Sequence, residues 1–487
     1  WLGAWAIQLA PQWVAPDFAA RLPFMALLVM TFAATWYGVY HVARAPLAQP
    51  VPFAFGGEAE PRDYARAIAD GGLLALVATL GLAQLSHETT PALAQLGFTA
   101  LAFYGLAVLP FHLPQAAAAV LAGLCGLALS GAPTTAVLLA IGGAAITVVG
   151  RADDEDPRHR WYWALGVLAA GAAAAALASG FDLWRWRLWP EGGRDWRGPL
   201  RLLLWFTWPA GPLALWTVWR WRRQLTSRHV ALPLWFALVA IGSTLLTPSS
   251  DRSLLLGLPA LAALAAFALP TLRRAVAALI DWFTLLFFTG CAFVIWVVWI
   301  SLQTGVPAKP AANVARLAPG FEPSFSLLAF GAALAGTVAW AWLVRWRTLR
   351  HRSELWRSLV LPAGGAALSW LLLMTLWLPV LDYARSYTAV VRGITQAMDA
   401  RGCAEVFGLN RGQVAALRYH GRLDLHSAGA GTCRWLIVSS EAQASAPVAI
   451  DMKQWQLVAT VRRPTDARDN VLLYRRQARA AGPGAAS

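Results

Sequence analysis

From Arg66 to Arg151 the chain contains no Lys or Arg, and between Asp70 and Asp153 its only acidic residue is Glu88. A stretch that long and that apolar does not form the surface of a water-soluble domain. The runs Asp70 to Leu85 and Ala94 to Phe111 each approach the roughly 20 apolar residues that a helix needs to cross a bilayer at ~1.5 Å rise per residue. Ser86-His87-Glu88-Thr89-Thr90-Pro91 between them reads as a tight turn at a membrane surface. A carboxylate beside an imidazole at the mouth of two spans suits metal ligation, substrate orientation or proton transfer. The same residues also read as helix punctuation: Thr89 or Thr90 caps the next helix, Pro91 opens it, and Glu88 lies in its favourable N-terminal field.

Composition sets the class. With 58% hydrophobic and 13% charged residues and a mean hydropathy of +0.51, the chain exceeds the apolar share of about 45–50% seen in soluble domains. It reads as an α-helical polytopic membrane protein. Its 27 Trp suit the headgroup belt, where the indole ring stays in apolar surroundings and its N–H in polar ones. The net charge of +15 raises nucleic acid as a partner, but the basic residues stand in short clusters between apolar runs, which is the positive-inside pattern. No nucleic-acid partner is expected. The chain begins at Trp1 with neither an initiator Met nor a signal-peptide pattern, so an N-terminal segment is expected to be missing.

Twelve candidate spans lie near 24–42, 70–86, 94–111, 115–131, 134–150, 161–178, 201–219, 231–246, 254–269, 278–300, 326–344 and 359–379. One set of alternate loops carries 17 Arg, among them Arg44, Arg151, Arg220, Arg273 and Arg345. The other short loops carry 7 cations, among them Arg185, Arg252 and Lys309. The asymmetry places the first set in the cytoplasm and the Glu88 turn outside. The chain past about Val380 then lies on the outer side as well.

The run Asp153-Asp154-Glu155-Asp156 reads as a solvated loop paired with Arg151, Arg158 and Arg160 rather than as a metal site. Phe181-Asp182-Leu183-Trp184-Arg185-Trp186-Arg187-Leu188-Trp189-Pro190 alternates aromatic and cationic residues and is expected to lie flat in the interface, as an anchor or as a groove for an anionic lipid. In Leu246-Thr247-Pro248-Ser249-Ser250-Asp251-Arg252-Ser253 a single cation marks the start of a helix. Arg252 there either reaches a lipid phosphate with bidentate hydrogen bonds or belongs to a hydrated Asp251–Arg252 turn.

Past Pro379 charged residues become frequent, and Trp435 to Ser439, Trp455 to Val461 and Asn470 to Tyr474 read as strands, with helical patterns near 386–401 and 411–420. The expected division is a membrane module over 1–379 and a small soluble α/β domain over 380–487. Cys403 and Cys433 lie in the latter and are expected to form a disulfide in an oxidising compartment, the alternative being two free thiols. Cys125 and Cys291 sit inside apolar spans as inert core residues. No CxxC, P-loop, GxGxxG, GxSxG or HExxH pattern stands in a context that supports it.

Several of these pieces, in their order, resemble the membrane glycosyltransferases that use polyprenyl-phosphate sugars, the family of protein O-mannosyltransferases and the bacterial lipid A aminoarabinose transferase. Trp1-Leu2 and Phe18-Ala19-Ala20-Arg21-Leu22-Pro23 look like the end of that family's first periplasmic loop and the start of its second span. His87-Glu88-Thr89-Thr90-Pro91 occupies the place of its second acidic site. Arg252 before Leu254-Leu255-Leu256-Gly257-Leu258-Pro259-Ala260-Leu261 is similar to its basic residue ahead of a Leu/Pro-rich helix. A periplasmic C-terminal domain follows its last span. The resemblance implies a GT-C-like bundle of about 12 spans, or 13 with the missing first. In the family, a first outer loop bears an acidic pair with the principal catalytic base, followed by a Lys-Pro-Pro-like stretch. Neither is present here.

What the resemblance implies is inverting displacement at the anomeric carbon of a polyprenyl-phospho-sugar by an acceptor on a lipid, glycan or protein, in the bacterial inner membrane. Glu88, with His87, assists at the acceptor or at a divalent metal, the one cofactor for which the resemblance leaves room. Arg252 and Arg21 hold the donor phosphate, and the lipid tail lies between spans in the bilayer. The rival readings are a secondary transporter of twelve spans and a non-enzymatic or flippase-associated scaffold. Transporters show repeats, midplane charges or broken helices, and the sequence displays none of these.

Overall fold

Proline opens helix after helix in the computed structural model, which describes residues 2–50, 59–150, 157–184, 197–247, 250–349, 355–399, 402–429 and 433–477. Pro16, Pro61, Pro91 and Pro133 each stand at a first helical position, where the missing N–H has no intrahelical partner to lose. After α1 (Leu2–Leu9) and α2 (Pro16–Ala43) come α3 (Pro61–Ala78), α4 (Leu80–Leu85), α5 (Pro91–Val108), α6 (Leu113–Leu129), α7 (Pro133–Val149) and α8 (Pro157–Gly180). These are followed by α9 (Arg197–Phe206), α10 (Ala210–Arg220), α11 (Arg228–Leu246), α12 (Ser250–Leu255) and α13 (Leu258–Ala268). The helical region closes with α14 (Arg274–Thr304), α15 (Ala308–Leu317), α16 (Leu327–Leu349), α17 (Val360–Leu372) and α18 (Leu378–Arg385).

Seven helices among the described residues are long and apolar enough to cross a membrane, and three shorter apolar helices accompany them. Of the twelve expected spans, those near 70–86, 201–219 and 254–269 are interrupted in the structure. The first breaks at Thr79, whose backbone is extended (φ −68°, ψ 127°), and the second at Trp208-Pro209, just before α10. Each break supplies what the other lacks: the Leu80 N–H donates to the Trp208 carbonyl at 3.1 Å. An interrupted helix is tolerated at membrane depth only where neighbouring protein satisfies the freed groups. A third interruption, at Gly257, separates α12 from α13. The expectation of unbroken spans is therefore corrected.

The chain divides into two compact units, one made of Trp1–Cys291 with Gly336–Trp370, the other of Ala292–Ala335 with Leu371–Ser487. In the first, α5 packs on α2 and on α6 through small residues. A Cβ added at Gly105 would come within 2.7 Å of the Val120 backbone N, and one at Gly123 within 2.7 Å of that of Ala102. Without a hydrophobic drive between helices in lipid, such close backbone approach is what holds a bundle together.

In the second unit, Tyr387 precedes α19 (Thr388–Ala397), after which come β1 (Cys403–Phe407), α20 (Arg411–Tyr419), β2 (Asp424–Ser427), β3 (Trp435–Ser439), α21 (Ala446–Ala449), β4 (Trp455–Arg463) and β5 (Asp466–Arg476). The strand order is β2-β1-β3-β5-β4, with β1 parallel to β2 and β3, and β5 antiparallel to β3 and β4. Every residue of β3 is buried. One face of the sheet packs on Val391, Ile394 and Leu417, the other on Ala446 and Ile450, and a strand covered on both faces reads as a continuous apolar run. Strands β3, β4 and β5 match the expected ones; β1 and β2 were not expected. Glu405 in the middle of β1 masks its strand character: its side chain is 1% exposed and pairs with Arg476 at 2.9 Å, while its other oxygen accepts the Gly429 N–H at 2.8 Å. Cys403 and Cys433 are joined, with Cα atoms 5.3 Å apart. Cys125 and Cys291 are free. The acidic run Asp153 to Asp156, the Arg185 to Pro190 part of the aromatic and cationic stretch, and Pro248-Ser249 lie outside the described residues.

Candidate functional site

The turn that follows α4 and the first residues of α12 meet. Glu88 Oε2 stands 3.6 Å from Arg252 Nη2, with 31% of the Glu88 side chain and 51% of the Arg252 side chain exposed. The backbone beneath each is fixed locally. The Glu88 N–H donates to the Leu85 carbonyl at 3.2 Å, and the Arg252 N–H donates to Asp251 Oδ1 at 2.8 Å. Thr247 and Ser253 hydroxyls lie 3.2 Å apart across the start of α12. Thr90 takes the N-cap position and Pro91 opens α5, as the punctuation reading expected, but no side chain caps the helix. The amide donors at this end of α5 therefore lack a side-chain cap, and Glu88 precedes them in the chain by a few residues, at the helix end whose field favours negative charge.

The floor under the pair consists of broken helices. The short segments α4, α9 and α12 pack on one another, and Phe206 at the end of α9 lies against Gly81, where an added Cβ would run into its ring. At ~1.5 Å rise per residue, the six residues of α4 and α12 and the ten of α9 put the breaks about 9–15 Å below the ends of these segments. The interruptions thus lie between the Glu88 end and about the middle of a ~30 Å hydrocarbon core, and Arg252 and Glu88 each ride on a segment shortened by one. Pro209 and Gly81 were the sequence signals for this arrangement, and the apolar run around them hid it.

The other expected site residues are placed differently. His87 is exposed and its ring stands 5.0 Å from that of Trp370, a neighbour from α17 that no local pattern announces. Arg21 pairs with Asp17 one turn earlier on α2, at 3.8 Å, and both are largely exposed. It does not pair with Glu88. Helices α2 and α5 run parallel, with Leu27 and Met30 beside Gly97 and with Phe103 and Tyr104 beside Gly38. That register sets Arg21 at the level of Thr90 and Pro91, the same end of the bundle as the turn.

As a metal centre the turn offers two adjacent donors, Glu88 and His87, and the carboxylate already faces a guanidinium. Tetrahedral zinc takes about four ligands and octahedral magnesium about six. Among the described residues, the trio of side chains close enough to share an ion is Cys403, His426 and Cys433, and its two sulfurs are bonded to each other. Among the described residues the turn thus supplies two donors, fewer than the roughly three or four protein ligands of a usual zinc site.

The fold has a precedent. Over 99% of this chain and 88% of the other, the structure is similar to ArnT from Cupriavidus metallidurans bound to undecaprenyl phosphate, with a TM-score of 0.57 and 15% sequence identity. It is similar to the same protein in the apo state over 97% of this chain and 86% of that one, with a TM-score of 0.56 and 16% identity. No family model matches the sequence, and no curated protein matches it. The helical, polytopic fold with its small mixed sheet is the one that ArnT shows.

Proposed function

We propose that this chain is a membrane glycosyltransferase of the bacterial inner membrane that moves a sugar from a polyprenyl-phosphate donor to an acceptor on a lipid, glycan or protein at the periplasmic face. The observation that carries the reading is the Arg252–Glu88 pair at one end of the bundle. It joins a phosphate-binding group to a carboxylate on a fold shared along the chain with a protein that binds undecaprenyl phosphate. The breaks in α3/α4, α9/α10 and α12/α13 are a feature that secondary transporters share; what favours transfer over transport is the charge pair at the helix ends and the similarity in fold.

In the proposed reaction an acceptor oxygen attacks the anomeric carbon from the face opposite the phosphate. The carbon–oxygen bond to the lipid phosphate breaks, the electron pair leaves with the phosphate oxygen, and the acceptor proton passes to a carboxylate. The phosphodiester carries one negative charge before the bond breaks and the departing phosphate monoester carries more. A guanidinium at Arg252 therefore binds the transition state more strongly than the ground state, which is the condition for catalysis. Glu88 is assigned to the acceptor side, where a carboxylate orients the hydroxyl or takes part in its deprotonation. Arg21, at the level of the turn, is a second candidate for the phosphate. The sheet domain from about Val380 onward is assigned to the periplasm on the Arg asymmetry.

The test is reconstitution of the purified protein with a panel of labelled undecaprenyl-phospho-sugars and with membrane extracts as acceptor. Acceptor-dependent release of undecaprenyl phosphate is expected for one member of the panel. Absence of release across the panel, together with failure to bind undecaprenyl phosphate, overturns the reading.

A further inference from the structure

We propose that Glu88 and Arg252 form a latch that the donor lipid opens. The donor phosphate takes the Arg252 guanidinium from Glu88, and the carboxylate so released turns to the acceptor. The inference rests on the transfer reading above and adds an order of events, donor before acceptor.

The pair has the properties of a contact made to be exchanged. Its 3.6 Å separation lies beyond the ~3.2 Å of ordinary N–H···O hydrogen bonds, so it is a charge contact without a fixed hydrogen-bond geometry. Both side chains are accessible, at 51% and 31% exposure, and exposed pairs of this kind shift an equilibrium only about two- to fivefold. The backbones on either side stay in place during an exchange. Asp251 holds the Arg252 N–H, and the Leu85 carbonyl holds that of Glu88, so the guanidinium can swing without unwinding α12 or opening the turn.

A phosphate is the better partner. It presents several oxygens to the planar fork of a guanidinium, which then makes two parallel charge-assisted hydrogen bonds in place of one long contact. Glu88 is left without its cation in a half-buried turn, beside the uncapped N-terminus of α5, and an acceptor hydroxyl satisfies it there. As transfer proceeds, the phosphate gains charge and holds Arg252 more tightly. When the lipid phosphate leaves, Glu88 recaptures the guanidinium and the site closes.

The experiment measures undecaprenyl phosphate binding to the purified protein in phosphatidylcholine nanodiscs for wild type, Glu88→Gln, Glu88→Ala and Arg252→Ala, each accepted only if it elutes as a stable monodisperse species. Removal of the competing carboxylate is expected to tighten binding about two- to fivefold in both Glu88 variants, and Arg252→Ala is expected to weaken it at least about tenfold. Equal or weaker binding by the Glu88 variants overturns the latch and leaves the transfer reading standing. Wild-type protein that does not bind the lipid, or Arg252→Ala that binds it as tightly as wild type, overturns both.

Discussion

Glu88 Oε2 and Arg252 Nη2 lie 3.6 Å apart, and the two residues reach this point from different parts of the chain, one from the turn after α4 and the other from the first turn of α12. In the proposed transfer, opposite charges at the same end of two packed segments divide the labour: the cation is assigned to the leaving group and the carboxylate to the nucleophile.

Arg252→Ala is expected to lower the initial rate of sugar transfer at saturating donor by about 10²–10³, the cost of losing one preorganised stabilising group. Arg252→Lys is expected to fall between the two, because an ammonium supplies the charge without the planar fork. A transfer assay with the donor identified from the panel reads both. Full activity in Arg252→Ala removes the residue from the site.

Gly81→Ala is expected to destabilise the bundle by about 1–3 kcal/mol, the usual range for overpacking, because the new methyl runs into the Phe206 ring. Phe206→Leu in the same chain is expected to recover part of the loss. Thermal unfolding midpoints in detergent compare the three proteins. An unchanged midpoint for Gly81→Ala means that α4 and α9 are free to separate.

For topology, Ser445→Cys in a chain whose Cys125 and Cys291 are replaced by Ala is the probe, since Ser445 is exposed. A membrane-impermeant thiol reagent is expected to label it in cells after permeabilisation of the outer membrane alone. Labelling that appears only after lysis of the inner membrane reverses the assignment of the sheet domain to the periplasm.

Within the sheet domain, Arg476→Met leaves the Glu405 carboxylate buried without this partner, which is expected to cost about 3–5 kcal/mol. Glu405→Leu combined with Arg476→Met is expected to recover most of it, since an apolar pair of similar volume carries no desolvation penalty. Urea unfolding followed by pulse proteolysis of the domain measures the difference. A double variant as unstable as the single one shows that Glu405 holds the sheet through the Gly429 N–H instead.

Much of the architecture was legible along the chain because the signals are local. Apolar runs, prolines at helix starts and alternating strand patterns act within a few residues, so each expected span has a helical counterpart and Trp435–Ser439 emerged with both ends correct. What failed to read were positions whose conformation depends on a distant partner. Thr79 stands in an apolar run whose local signal, Gly81, is weak on its own, and the break there is compensated by a distant group, the Trp208 carbonyl that accepts from Leu80. Strand β1 was invisible because Glu405 looks like a surface residue until Arg476 is placed beside it.

The sequence by itself determined that this is a many-helix membrane protein with a small α/β appendage, and that its sparse charges gather at the turns, since the cost of a charge in hydrocarbon forces that pattern on any such chain. The tertiary structure alone decided which distant groups meet: Glu88 with Arg252, and His87 with Trp370. Pairing of this kind depends on how segments far apart in the chain pack side by side, and that packing follows from shape, from glycines at 81, 105 and 123 and from interlocking helix breaks, none of which leaves a periodic trace in the residues that finally touch.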